Sequence, residues 1–239
     1  MKMLLLDLCG AGGTLALADS AREPAVFAQS TLAPRSAAAT LLPAVCKLLE
    51  DAALSVSGLD AIAVVNGPGS FTGVRIGVSA AKGLSEGAGV RVIAISRLAV
   101  LVSLCPEVPA SGRVYAVLDA GRGEFYVRTS ESASQQVSES AKDGGEAMLT
   151  REEFLVVLAE APGTVCVCEA RVAEALVEFA PVVVEEPVAT DAFALAEAAF
   201  AAGDFADVAA LDANYLRRAD AEMLEKQRAA MAARRTETR

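Results

Sequence analysis

The sequence predicts an α/β protein made of two related halves, and three observations point that way. The first is a repeated layout. LLLDLCGAGGTLAL near the N-terminus and YAVLDAGRGEFYV in the middle each read as an apolar strand, an aspartate at its end (Asp7, Asp119), a glycine turn and a returning strand. The second is the alternation of short apolar strands with helical stretches through short loops, which favours parallel pairing. The third is composition. Of 239 residues 54% are hydrophobic and 22% charged, so a core can be filled in one large domain or two small ones. Tryptophan is absent and aromatics are few, which leaves Ala, Val and Leu to do the packing.

In chain order, residues 3–8 and 14–18 form a hairpin around CGAGG, and a third strand is expected over 25–30. A helical pattern follows, with Leu42, Val45, Leu49 and Ala52 on one stripe. Pro43 either kinks this helix or sits near its start with Thr40 as the N-cap. Residues 61–65 read as a buried strand, NGPGSFTG as a turn into a helix running to about Glu86, and 90–95 as the next strand. A second unit begins near Gly112 with the second hairpin. The stretch 130–146, rich in Ser, Gln, Gly and charge, reads as a loop. Thr150 and Glu153 form a capping box that opens a helix to about Ala161. A strand over 164–168 follows, then helices around 170–179 and over 191–202, the last closed by Gly203. The expected organisation is an N-terminal subdomain over 1–108, a C-terminal subdomain over 109–218 and a basic, flexible tail over 219–239.

Duplicated strand–Asp–glycine-turn–strand hairpins with crossover helices describe the actin-like, ribonuclease H-like nucleotide-binding fold. In that fold the two turns flank a phosphate site between the subdomains. Glycines let backbone N–H groups approach phosphate, and a carboxylate holds magnesium. Asp7 and Asp119 are the candidates for that role. The alternative is two tight hairpins, each with a solvent-facing acid.

Several function classes are excluded by what is missing. The chain has no histidine, which removes His-based zinc sites, Ser-His-Asp triads and Cys-His pairs. Its five cysteines are an odd set in apolar surroundings, which argues for a reducing cytoplasm and for small buried hydrophobes rather than a metal site. Alternation in TVCVC turns Cys166 and Cys168 to the same face. No apolar stretch approaches the roughly 20 residues of a membrane span, and Asp7 interrupts the first run before a signal-peptide core can form. The net charge of −10 opposes unaided binding to a phosphate backbone. The tail differs, with Arg217, Arg218, Lys226, Arg228, Arg234, Arg235 and Arg239 outnumbering the nearby acids; a solvated end is favoured over an RNA contact.

The most specific stretch is NGPGSFTGVRIG, residues 66–77. It is not a Walker A loop, since the chain has no Gly-Lys dipeptide, and Gly67, Gly69 and Gly73 are spaced GxGxxxG rather than GxGxxG. Gly67-Pro68-Gly69 makes a sharp strand-to-helix turn, Ser70 can cap the helix, and Gly73 and Gly77 allow close packing. A free helix N-terminus could bind an anion, but water or a cap is the commoner occupant.

NGPGSFTGVRIGVSAAKGLSEG, then VIAISRLAVL, LDAGRGEFYV and finally NYLRR resemble the TsaB (YeaZ) family, in that order and over most of the chain. The signature loop of the resemblance is Gly67, Pro68, Gly69, Ser70, Phe71, Thr72 and Gly73. The resemblance implies the actin-like fold and a non-catalytic, cytoplasmic subunit. Its expected partners are a TsaD-like catalytic subunit and a TsaE-like ATPase, and the reaction places threonylcarbamoyl on the adenosine beside the anticodon of tRNAs reading codons that begin with A. It also implies that ATP and metal belong to the partner subunits, that tRNA is met only through the complex, and that no membrane is involved. Two positions depart from the family's habit: Leu8 stands where a Thr often follows the aspartate, and Arg35-Ser36-Ala37-Ala38 where a histidine commonly opens the first long helix. Both weaken a nucleotide or metal role for Asp7 and Asp119, which are then vestiges. The catalytic relatives hold their metal with a histidine pair, which this chain cannot do. The competing reading is an ATP- and magnesium-dependent kinase or hydrolase of the same fold.

One surface is expected to meet the partner. Between Phe71 and Leu84 the only charges are Arg75 and Lys82, and apolar residues spread around the helix. A helix apolar nearly all round is covered on a second side. With the preceding helix it offers Leu41, Val45, Val74, Arg75, Val78 and Ala81 to a TsaD-like subunit, or to a second copy when the chain is alone, with Val78 pointing outward. Cover by the neighbouring helix is the alternative.

Overall fold

The computed structural model describes residues 1–106, 112–130 and 145–216. The basic tail expected over 219–239 and the 131–144 part of the expected loop lie outside the described residues.

The first sheet holds β1 (Lys2–Asp7), β2 (Gly13–Asp19), β3 (Val26–Leu32), β4 (Ala61–Val65) and β5 (Arg91–Ile95), in the order β3-β2-β1-β4-β5. The first three strands are antiparallel, while β1, β4 and β5 run parallel. The second sheet holds β6 (Val114–Gly121), β7 (Glu124–Ser130), β8 (Glu146–Thr150), β9 (Thr164–Val167) and β10 (Val182–Val183), in the order β10-β9-β6-β7-β8. Each second-sheet strand takes the place and direction of its counterpart in the first. The duplicated actin-like architecture expected from the two hairpins is therefore present. The short strands β8 and β10 were not legible in the sequence.

Burial follows this plan. Met3, Leu4, Leu5 and Leu6 of β1 are all buried because the central strand is covered on both faces, as its unbroken apolar run requires. The edge strand β3 is mostly half-buried, with two exposed residues.

Helix α1 (Ala37–Asp51) starts after Ser36, not Thr40. Thr40 lies inside its first turn with its hydroxyl donating to the Ser36 carbonyl at 3.0 Å, and Pro43 is internal to the helix. Its buried stripe is Leu41, Val45, Leu48 and Leu49. Leu42, placed on the stripe by the sequence reading, is 52% exposed, being about 100° round from Leu41. Helix α2 (Phe71–Ala88) is capped by Ser70, whose Oγ accepts from Gly73 N at 3.2 Å, and it ends at Gly89 in the left-handed region. The capping box of Thr150 and Glu153 opens α4 (Arg151–Glu160) as the sequence suggests.

The cut between 1–108 and 109–218 separates the sheets but not the packing. Helix α3 (Arg97–Ser103) follows β5 yet lies against β6, β7 and β9, where Leu98, Leu101 and Val102 are buried with Cys166. In return, Ala189, Ala192, Ala213 and Ala196 of α5 (Phe193–Ala202) are buried in the core of the first sheet. The halves thus exchange end pieces. Among the described residues no helix is long and apolar enough to cross a membrane.

Candidate functional site

Both aspartates order their own turns. Asp7 Oδ1 accepts from the N–H of Cys9 at 2.8 Å, and Asp119 Oδ1 accepts from the N–H of Gly121 at 2.7 Å, the same two-residue bridge in each half. Their surroundings differ. Asp119 is partly exposed, its Oδ2 accepts from Arg171 at 3.1 Å, and its N–H donates to Glu169 Oε2 at 2.7 Å. Asp7 is buried rather than solvent-facing, and its Oδ2 has no hydrogen-bond partner among the described residues. Burial pushes the Asp7 carboxyl above its ordinary range, while the nearby Arg97 guanidinium opposes that rise. Burial likewise pushes up the Glu169 carboxyl and the neighbouring Cys9 and Cys168 thiols, the last to about 11, so neither thiol is an activated nucleophile.

Arg97 opens α3 and is only 3% exposed. Burial works against its charge, but Asp7 first, then Cys9 and Glu186, outweigh it and hold the guanidinium above its usual value. Its Nη2 lies 2.7 Å from Glu186 Oε1.

A magnesium–phosphate group would need the first turn open and oxygen ligands beside Asp7. The residues present do not fit it. Glu186 lies so close over the turn that a Cβ on Gly10 would come within 2.4 Å of its Oε1 and 3.3 Å of Arg97 Nη2. A carboxylate there repels phosphate, and Arg97 already supplies the positive charge that a metal would bring. The space left, a cavity of about 160 Å³, is bounded by both Asp7 and Glu186. Among the described residues no group of three or more His, Cys, Asp or Glu could hold a metal ion.

The signature loop instead serves packing. Gly67 takes φ 110°, a conformation open to glycine, and Ser70 N donates to Cys9 O at 2.8 Å. A Cβ on Gly69 would sit 2.6 Å from Cys9 O, and one on Gly73 only 1.9 Å from Leu8 O. The loop is therefore seated against the chain just after Asp7, with no room for a side chain at Gly69 or Gly73. Leu8 and Arg35, where the sequence leaves the family's habit, both line a cavity of about 360 Å³ beside Ser70 and Thr72.

Of the expected partner-facing residues, Leu41, Val45, Val74, Val78 and Ala81 are buried in the chain's own first core. Val78 does not point outward: Val74, Val78, Ala81 and Ser85 recur at helical spacing on the side of α2 that faces the sheet. The second side of α2 is met by the chain's own C-terminal segment. Lys82 Nζ donates to Leu211 O at 3.0 Å, and Asn214 N donates to Asn66 O at 2.7 Å. Of the six, only Arg75 is exposed. It belongs to a cluster the sequence did not assemble, in which its guanidinium sits 3.7 Å above the Phe71 ring and its Nε donates to the Tyr215 hydroxyl. Phe71 and Tyr215 are 59% and 44% exposed, while Val156, Val177 and Val183 are exposed apolar residues of the second half.

Glu146 fixes where Tyr215 stands. Its Oε2 accepts from Asn214 Nδ2 at 2.7 Å, and its Oε1 accepts from Arg128 at 2.8 Å and from the Ser96 hydroxyl. NYLRR was the available signal for Asn214 and Tyr215. Nothing local marked Glu146, Arg97 or Glu186.

The family model described as TsaD, tRNA N6-adenosine threonylcarbamoyltransferase, matches residues 29–233. The chain is 35% identical over 126 residues to the tRNA threonylcarbamoyladenosine biosynthesis protein TsaB of Escherichia coli, covering 53% of each. It is 38% identical over 122 residues to the protein of that name from Haemophilus influenzae, covering 51% of this chain and 49% of the relative. The chain thus spans about half the length of the curated relatives it matches. Among solved structures, YeaZ from Pseudomonas aeruginosa superimposes with a TM-score of 0.65 at 27% identity, over 90% of this chain and 99% of that one.

Proposed function

The chain belongs to the family whose model is described as TsaD, tRNA N6-adenosine threonylcarbamoyltransferase, and from its likeness to TsaB and YeaZ proteins we propose that it serves tRNA threonylcarbamoyladenosine biosynthesis as a non-catalytic subunit. It works in the cytoplasm beside a TsaD-like catalytic subunit and a TsaE-like ATPase, which bring the ATP and metal chemistry. The product is the threonylcarbamoyl adenosine next to the anticodon of tRNAs reading codons that begin with A. This chain meets tRNA only through the assembly, and it pairs with a second copy when alone.

The observation that carries this reading over a kinase or hydrolase is the ion pair beside Asp7, which leaves a cavity of only about 160 Å³ there. The Glu186 carboxylate stands over Gly10 of the turn that would hold phosphate, and Arg97 already brings a positive charge beside Asp7. The docking face for the TsaD-like subunit is the outer side of α1 and the start of α2, centred on Leu42, Phe71 and Arg75 and extended by Tyr215. Aromatic and arginine side chains held together at a surface have the makeup of interface anchors.

Calorimetric titration of the purified chain with magnesium-ATP tests the non-catalytic part. Absence of binding up to millimolar nucleotide is expected. Micromolar binding that Asp7→Asn abolishes in a folded protein would replace this reading with the ATP-dependent one.

A further inference from the structure

Among the described residues the chain passes between its halves at three places: two that an ion pair joins, and a third at 213–216, where Ala213 is buried in the first core and Leu216 packs against the cluster of α3. The first passage is at Ser96 and Arg97, where β5 of the first sheet gives way to α3 on the second. The second leaves β10, runs through Glu186 and reaches the 3-10 turn Ala189–Ala192, whose alanines are buried in the first core. The first passage is held to the first half by Arg97 N donating to Gly67 O at 2.7 Å, and the second is anchored at both ends, Val184 N donating to Val167 O at 2.9 Å and Ala189 N to the Thr14 hydroxyl at 2.8 Å. Rotation of one half against the other must therefore be absorbed by the few residues of these passages, which is where hinges form. Arg97 and Glu186 face each other across that spot at 2.7 Å.

We infer that Arg97 and Glu186 are a built-in latch across the hinge, holding the cleft beside Asp7 closed without a ligand. The Arg97 side chain is only 4% exposed, against 54% for Glu186. Opening would carry the exposed partner away and leave a buried guanidinium whose Nε already lacks a hydrogen bond among the described residues. An ion left buried and underpaired is costly, so the pair resists separation more than two exposed charges would. The Glu186 carboxylate also covers Gly10, so closing the latch and closing the turn are one event. Glu146, bonded to Ser96 and Asn214, ties the halves at a second point and limits how far loss of the latch alone can open them.

Hydrogen–deuterium exchange of the full chain and of Glu186→Ala tests this. The substitution removes a half-exposed side chain, so the fold is retained. Exchange over residues 8–14, 95–100 and 184–192 should speed up together, by about fivefold or more, while β4 and α4 keep their wild-type rates. The double variant Asp7→Asn/Arg97→Met removes the buried half of the pair without stranding a charge and should show the same pattern. Acceleration confined to the neighbours of residue 186, acceleration equal in β4, or a double variant that exchanges like wild type would each overturn the latch.

Discussion

Gly73 shows how a sequence motif can be specific without being chemical. Its missing side chain lets α2 press on the Leu8 carbonyl, with 1.9 Å left for a Cβ. Gly73→Ala must shift backbone against backbone, and a loss of about 3 kcal/mol or more is expected by urea denaturation. Gly83, in the same helix with nothing within 4 Å, is the internal control. Gly83→Ala should gain about 0.5–1 kcal/mol from helix propensity and a less flexible unfolded chain. Asp7 gives the second prediction at this scale. Its carboxyl is raised above the usual 3.8 by burial, so the folded state holds the proton more tightly than the unfolded state. Its contribution to wild-type stability is present below pH 4 and is lost as pH rises through the folded value. The thermal midpoint of Asp7→Asn should therefore rise relative to wild type on going from pH 4 to pH 6. A difference that stays flat or falls would show that Arg97 fully compensates the buried carboxylate.

The elements explain why some of the reading succeeded and some did not. The strands β1, β4 and β6, the hairpins and the Thr150 capping box were legible because local signals of unbroken apolar runs, glycine and capping agree with the fold. The direction of Val78 was not, because α2 is apolar on two sides and the sequence alone does not say which neighbour covers each. The C-terminal segment that meets α2 through Lys82, and the loop before it through Asn66, lies more than half the chain away. Helix α3 was missed because it is short and buried nearly all round, which erases the helical period. The pair Arg97 and Glu186 spans 89 positions and leaves no local trace. Two substitutions separate the sides of α2. Val78→Asp places a charge against the sheet and should cost about 3–5 kcal/mol in denaturant titration. Phe71→Asp, on the exposed side, should change stability by no more than about 0.5 kcal/mol while weakening association with a TsaD-like subunit at least tenfold in a pull-down or calorimetric assay.

At the scale of the whole molecule, two copies of one strand plan exchange their end pieces around a cleft. In the fold that the sequence brings to mind, such a cleft holds a nucleotide. Here Arg97 and Glu186 pair beside Asp7, Gly69 and Gly73 of the signature loop are used for close packing, and exposed Phe71, Arg75 and Tyr215 meet on one surface. We propose on this basis that the chain serves assembly rather than chemistry. Threonylcarbamoylation of tRNA, reconstituted from purified subunits, tests that claim most directly. Product should form with the TsaD-like and TsaE-like subunits and this chain, disappear when the chain is omitted or carries Phe71→Asp, and persist with Asp7→Asn. Undiminished product without the chain, or loss of product with a folded Asp7→Asn, would contradict it.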